Sequence, residues 1–402
     1  MGFRVPSAAE LTREQLDVFD LPAAGKYLVS GPPGTGKTIL ALLRAQKLVK
    51  LGHRPTIVMY NKALGAMVRA EAEELGLGER VMTYHQWFSQ LHKKATGKGS
   101  VPQVRQYEYD WNQVGTYAGE YYAKRKSLDL DYVLVDEAQD LPADFLGFLS
   151  SLGSNVTVFA DENQRITDTQ STISQLRSAI LPARELEVRT NFRNTAPVAR
   201  LARHFYTGLS TGIPDLPSRP GTTPSLVRVS SNEDLAAAVA NVALSEPFRE
   251  SYGVLVKRMD VRDAVAKALP AKLKEVAEAR AAKDPAKAAR IKKRAADLAT
   301  RVYAYVSGSK PVPPMNEPGI FAVCHASAKG LQFGTAVASL AGLKGGDETT
   351  AKMSLYVLSS RPEHEMYLAW VGSDAGKAAE AVPDFITEIP QEELRRVAMK
   401  NG

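Results

Sequence analysis

Residues 26–38, Lys26-Tyr27-Leu28-Val29-Ser30-Gly31-Pro32-Pro33-Gly34-Thr35-Gly36-Lys37-Thr38, followed by ILALLRAQKLV at 39–49, decide the fold. The first five read as a short buried strand, and the apolar residues after Thr38 recur at helical spacing. Between them lies G-x-x-x-x-G-K-T, so the order is strand, glycine-rich turn, helix: a P-loop in the context its chemistry requires. Glycines let backbone N–H groups turn inward onto phosphates, and the helix N-terminus adds partial positive charge. Gly31, Pro32, Gly34, Thr35 and Gly36 would form the cradle. Lys37 would reach the β- and γ-phosphates, and Thr38 would offer its hydroxyl to Mg²⁺.

Downstream, the apolar run Tyr132-Val133-Leu134-Val135 ends on Asp136, Glu137, Gln139 and Asp140. A solvated turn explains one acid; a magnesium site explains the adjacent pair, with Asp136 on the metal's shell and Glu137 as base toward an attacking water. Further apolar strands are expected at PTIVMY (55–60), DYVLVD (131–136) and VTVFAD (156–161), with helical patterns between them. A nucleotide at the C-terminal edge of such strands implies an α/β fold with a parallel sheet.

The 402 residues suffice for two to three domains, and 44% apolar with 24% charged residues is a globular balance. There is no apolar run long enough for a bilayer and no leader at Met1-Gly2-Phe3-Arg4, so the expectation is a cytoplasmic protein with no membrane partner. One cysteine, Cys324, excludes an internal disulfide and a cysteine-based zinc site. Net charge of +7 favours polyanionic partners only modestly.

Several further stretches resemble the UvrD-like branch of superfamily 1 helicases, motors that run on single-stranded DNA by opening and closing two RecA-like lobes on ATP. LTREQ (11–15) resembles its adenine-reading motif, giving Gln15. YNKAL (60–64) and TYHQWF (83–88) resemble motifs Ia and Ib, DEAQD motif II, and ADENQRI (160–166) motif III. TNFRNT (190–195), SAKGLQF (327–333) and YVLSSR (356–361) resemble motifs IV, V and VI. The resemblance implies ATP and Mg²⁺ as cofactors. It implies Gln164 as γ-phosphate sensor, Arg193 and Arg361 reaching in from the second lobe, and Gln332 near the ribose. It also implies strand contacts from Asn61, Lys62, Thr83, His85 and Lys329. For each arginine the bland alternative is an ordinary ion pair.

The sequence departs from that family in four places. Residues 166–170 carry no aromatic to stack on bases; Ala326 stands where motif V has a histidine, with His325 shifted by one; Gln332 replaces a glutamate; and the accessory insertions are reduced. A one-residue shift in a strand would turn His325 to the opposite face. The first insertion, about 89–130, has room for a helix or two. Its Tyr107, Tyr109, Trp111, Tyr117, Tyr121 and Tyr122 would either stack on bases or pack a small subdomain. The second, about 266–302, reads as two helices joined at Asp284-Pro285. Its Lys287, Arg290, Lys292, Lys293 and Arg294 form a solvated face, a phosphate grip or a site for an acidic partner.

The expected architecture is two tandem RecA-like P-loop lobes with parallel sheets and small helical insertions, lobe one at 1–189 and lobe two at 190–402. Lobe-two strands are expected at SLVRVS (225–230), YGVLVKR (252–258), GIFAVCH (319–325) and MSLYVLS (353–359). Two functions follow: an ATP-driven translocase on single-stranded nucleic acid, DNA favoured and 3′→5′ by resemblance, or a regulatory ATPase that signals to a protein partner such as a nuclease.

Overall fold

Continuous apolar runs such as Tyr27-Leu28-Val29 form strands covered on both faces, which is what a parallel sheet flanked by helices demands. The computed structural model describes residues 6–7, 10–161, 171–208, 212–306, 311–315, 317–343, 347–371 and 382–397. The chain divides into two compact units, residues 2–191 with 208–215, and 192–207 with 216–402.

Among the described residues of the first unit, six parallel strands lie in the order β3-β2-β6-β7-β1-β8. These are β1 (Lys26–Ser30), β2 (Pro55–Met59), β3 (Val81–Thr83), β6 (Tyr132–Asp136), β7 (Asn155–Ala160) and β8 (Arg184–Glu187); β4 (Gln103–Arg105) and β5 (Glu108–Tyr109) make a separate antiparallel hairpin. Strand alternation splits the apolar residues between two cores. Leu28, Val58, Val133, Val135, Val156 and Val158 face one, Val29, Ile57, Met59, Leu134 and Phe159 the other. The second core takes helices α1 (Arg13–Phe19), α2 (Lys37–Lys50) and α3 (Lys62–Glu74). The first takes α4 (Tyr84–Thr96), α5 (Trp111–Gly115), α6 (Ala118–Lys124), α7 (Ala143–Ser151) and α8 (Ile173–Ala179).

Among the described residues of the second unit, seven parallel strands lie in the order β11-β12-β10-β13-β14-β9-β15. They are β9 (Ser225–Val229), β10 (Ser251–Val256), β11 (Val302–Tyr305), β12 (Gly319–Cys324), β13 (Phe333–Ser339), β14 (Pro362–Val371) and β15 (Arg395–Val397). Its helices are α9 (Ala196–Arg203), α10 (Asn232–Ala243), α11 (Met259–Lys283), α12 (Ala288–Ala299), α13 (Glu348–Ser359) and α14 (Asp384–Thr387). Helices α10, α11 and α12 pack one face through Leu235, Val239, Leu269, Leu273, Ile291 and Leu298.

Three expectations need correction. MSLYVLS is not a strand but the end of α13. A seven-residue apolar run does not distinguish a buried strand from a buried helix. The strand instead begins with the polar Pro362-Glu363-His364-Glu365, and FGTAVAS forms a further strand that the sequence reading did not expect. His325 is not in a strand either: β12 ends at Cys324 and a 3₁₀ turn spans His325–Ser327, so strand alternation says nothing about its direction. The first insertion holds the β4–β5 hairpin as well as helices. The second does form two helices, joined by a 3₁₀ turn at Pro285–Lys287.

Candidate nucleotide site

The turn after β1 is shaped by glycine where nothing else fits. Gly34 and Gly36 sit at φ 86° and 83°, a region L side chains rarely adopt. A Cβ at Gly31 would lie 2.2 Å from the Val188 carbonyl oxygen. Gly36 caps α2 with no side chain on the helix amides, and no acid occupies the first turn. Thr35 is fully buried, its hydroxyl donating to the Pro32 carbonyl at 3.0 Å. The ammonium of Lys37 spans the loop, donating to Gly31 and Pro32 carbonyls at 2.6 and 2.9 Å, and lies 3.8 Å from Asp161.

Parallel pairing in the order β6-β7-β1 brings the acids to the same edge as this loop. Thr38 Oγ1 donates to Asp136 Oδ2 at 2.7 Å, while Asp136 Oδ1 is buried with no hydrogen-bond partner. Burial, then the neighbouring Glu137 charge, pushes the Asp136 carboxyl above the usual carboxylate range. A hydroxyl, a hard carboxylate and an unsatisfied buried oxygen suit Mg²⁺, which is usually held by one or two protein oxygens plus waters and phosphates. No cluster of three or more His, Cys, Asp or Glu occurs among the described residues, so a metal cage of protein ligands alone is not found there.

Glu137 is buried and adopts φ 52°, ψ 43°, turning the chain out of β6 into a 3₁₀ turn at Ala138–Asp140. Its Oε2 accepts from Gln139 Nε2 at 2.5 Å. Gln15 lies against the loop: its Nε2 donates to the Thr35 carbonyl at 3.2 Å and its Oε1 accepts from Thr12 N–H. Gln164 and residues 166–170 lie outside the described residues.

The residues assigned to a nucleic-acid strand fall into two groups. Thr83 ends β3, and Asn61, Lys62 and His85 follow the C-terminal ends of β2 and β3, the sheet edge that also carries the P-loop and Asp136. Asn61 is buried and accepts from Leu64 N–H at the start of α3, whereas Lys62 is exposed. Two exposed rings, Tyr60 and Tyr107, have centroids 5.9 and 5.6 Å from that of His85, whose Nδ1 is 3.2 Å from Tyr109 Oη. Burial, then Lys62, holds the His85 imidazole below the usual histidine range. Of the insertion's other aromatics, Tyr109 and Tyr121 are buried, Trp111 and Tyr117 pack against the core, and Tyr122 is exposed under Arg125. Lys329, in the second unit, is buried.

The two arginines also belong to the second unit. Arg361 is fully buried between α13 and β14; its Nε donates to the Val357 carbonyl and a terminal nitrogen to Ser360 Oγ, both at 2.7 Å. Arg193 donates to the Ser360 carbonyl at 3.2 Å, so both are gathered at one junction. Gln332 is half-buried just before β13. The basic cluster at and after the start of α12 is partly engaged: Lys287, just before the helix, and Arg290 pair with Glu246, and Arg294 lies over Phe248. Sequence reading gave no role to Gln139 and Asp161, although both lie within quoted motifs; their partners are set by which strands neighbour each other.

Residues 18–170 match the family model described as AAA domain. Over 143 residues the chain is 33% identical to the PhoH-like protein of Bacillus subtilis (strain 168), covering 33% of this chain and 41% of that protein. The chain thus matches about two fifths of the length of that relative. Among solved structures, the C-terminal domain of a possible DNA helicase from Lactobacillus plantarum WCFS1 aligns at 16% identity and a TM-score of 0.33, over 52% of this chain and 99% of that one. The Arterivirus nonstructural protein 10 helicase aligns at 12% identity and a TM-score of 0.39, over 89% and 61%. No described helix is long and apolar enough to cross a membrane. The protein has two α/β units with parallel sheets, and the first has the P-loop NTPase fold.

Proposed function

We propose that the chain is a nucleic-acid-dependent ATPase of superfamily 1 helicase type, UvrD-like in motif order, acting on single-stranded DNA with 3′→5′ polarity. The observation that carries the reading is the linked set Lys37, Thr38, Asp136 and Glu137, brought to one sheet edge by strand order. Lys37 and the loop amides hold the phosphates, Thr38 and Asp136 hold Mg²⁺, Glu137 takes the proton of the attacking water, and Gln15 reads the base. When bound, Mg²⁺ supplies charge neutralisation at the β- and γ-phosphates. Gln164, Arg193 and Arg361 act on the γ-phosphate, and Gln332 on the ribose.

Asn61, Lys62, Thr83, His85 and Lys329 hold the strand. The exposed rings of Tyr60 and Tyr107 near His85 support a polymer with bases to stack on; such stacking contributes about 1–3 kcal/mol per base. A second reading, a regulatory ATPase that signals to a protein partner such as a nuclease, is favoured by the insertion's packing. Four of its six aromatics are used inside the first unit.

The test is ATP turnover with and without single-stranded DNA or RNA, beside unwinding of a tailed duplex. Strand-stimulated turnover is expected, with log K falling by about 0.7 per phosphate neutralised for each decade of salt. Poor unwinding by the chain alone is expected too. Turnover indifferent to any nucleic acid would defeat the first reading; efficient unwinding alone would defeat the second.

A further inference from the structure

The carboxamide of Gln139 is fully buried and occupied at both ends. Its Oε1 accepts the Asp161 N–H at 2.9 Å, and its Nε2 donates to Glu137 Oε2 at 2.5 Å. The orientation is not arbitrary. A backbone N–H can only donate, so the Asp161 amide fixes which end is oxygen and turns the nitrogen toward Glu137. The backbone carbonyl of the same residue accepts the Ser171 N–H at 3.0 Å. Gln139 therefore ties Glu137 to the end of β7 and to the residue that leads into α8.

The local backbone is arranged for this contact. Glu137 takes left-handed φ and ψ of 52° and 43°, and the 3₁₀ turn that follows is closed by Asp140 N–H to the Glu137 carbonyl at 2.9 Å. That turn brings a side chain two positions later back beside the glutamate. A free glutamate has three rotatable side-chain bonds, whereas a general base must hold its oxygen within hydrogen-bond reach of the proton it takes. Anchoring one carboxylate oxygen removes most of that freedom.

We propose that Gln139 is a positioning residue for hydrolysis: it holds Glu137 in its working rotamer and references it to the end of β7. This rests on the reading of Glu137 as the base of an ATPase. Two variants separate the two ends of the amide. Gln139→Glu keeps an acceptor for Asp161 N–H and, read at a pH where its carboxyl is ionised, removes the donor to Glu137; Gln139→Met removes both at similar size at any pH.

The measurements are kcat and KM for ATP at saturating Mg²⁺, affinity for a fluorescent ATP analogue, and hydrogen exchange at the Asp161 amide. Both variants should lose about 10- to 100-fold in kcat, the scale of an ångström of misplacement. KM and analogue affinity should stay within about 3-fold, since the phosphate cradle is untouched. Asp161 should remain protected in Gln139→Glu and exchange faster in Gln139→Met. Gln139→Glu with wild-type kcat and a protected Asp161 would overturn the proposal, because the residue would then be only a structural tie. Glu137→Gln runs alongside. If it keeps wild-type kcat, the base assignment itself fails and the proposal with it; if it loses turnover while Gln139→Glu does not, only the positioning role fails.

Discussion

The first and second units each join a buried parallel strand to a helix, at β1–α2 and at β9–α10, and the two junctions are finished in opposite ways. In the second, Ser231 Oγ accepts the Asp234 N–H at 3.1 Å, Asp234 Oδ2 accepts the Ser230 N–H at 3.1 Å, and Glu233 adds another acid to the first turn. One helix amide is capped by a side chain, and two acids face the positive end of the dipole. In the first, Gly36 supplies no capping group, no acid lies in the first turn, and Lys37 stands there instead. The same strand–helix architecture is thus closed to anions in one unit and open to them in the other. Capping chemistry, and not the sheet, makes the difference.

The largest effects should come from removing charge where the first unit is open. Lys37→Ala should reduce ATP turnover by on the order of 10²–10³ or more, as expected for losing a group that stabilises transition-state charge. Glu137→Gln should instead keep Mg²⁺·ATP binding and lose turnover. Steady-state kinetics beside equilibrium binding separates the two, and equal behaviour of both variants would break the division of roles.

Next in size is Arg361→Ala. A lone arginine finger contributes on the order of 10³–10⁵ in rate; with the role shared with Arg193 as proposed, the single loss should stay below that of Lys37→Ala, at about 10- to 100-fold. Because Arg361 is buried and bonded to Val357 and Ser360, the variant should also melt earlier; kcat per folded molecule is the number to read. Unchanged kcat with a lower Tm would make it a structural arginine of the second unit.

The junctions can then be tested directly. Gly36→Ala places a Cβ at φ 83° and 3.1 Å from Gln15 Nε2, so nucleotide affinity should fall about 10-fold or more, from roughly 1–2 kcal/mol of left-handed strain and a displaced loop. Ser231→Ala should cost about 1 kcal/mol of stability, the usual price of a lost cap, and leave nucleotide affinity unchanged. A loss of nucleotide binding in Ser231→Ala would contradict the contrast between the two junctions.

The smallest effect is pH-dependent and belongs to the second unit. Burial, then Lys257, pushes His325 down to about 4. The fold therefore favours neutral imidazole: its contribution is fully present above the unfolded value of about 6.5 and is lost as pH falls toward about 4. His325→Gln should flatten the decline in Tm between pH 6.5 and 4.5; an unchanged slope would show that other groups set it.

The sequence alone determined the glycine turn after β1, the acidic end of β6 and the parallel sheet of the first unit. Each is carried by residues within a few positions of one another: a glycine that must take positive φ, a lysine and threonine at fixed offsets, two acids closing an apolar run. It also determined the two helices around Asp284-Pro285, because a proline after an aspartate interrupts a helical pattern. Where local signals were ambiguous, it misled: MSLYVLS is equally apolar as helix or strand, and only packing chose helix, leaving the polar-headed PEHEMYLAWV to form β14. The tertiary structure alone decided three further things. It gave Thr38, which the sequence had already placed with Asp136 at one Mg²⁺, a direct hydrogen bond to that residue 98 positions away. It ran Gln139 between Glu137 and Asp161, and it sorted the insertion's tyrosines into buried and exposed. These depend on strand order and helix docking, which bring distant positions together through non-local burial that no short window of sequence encodes.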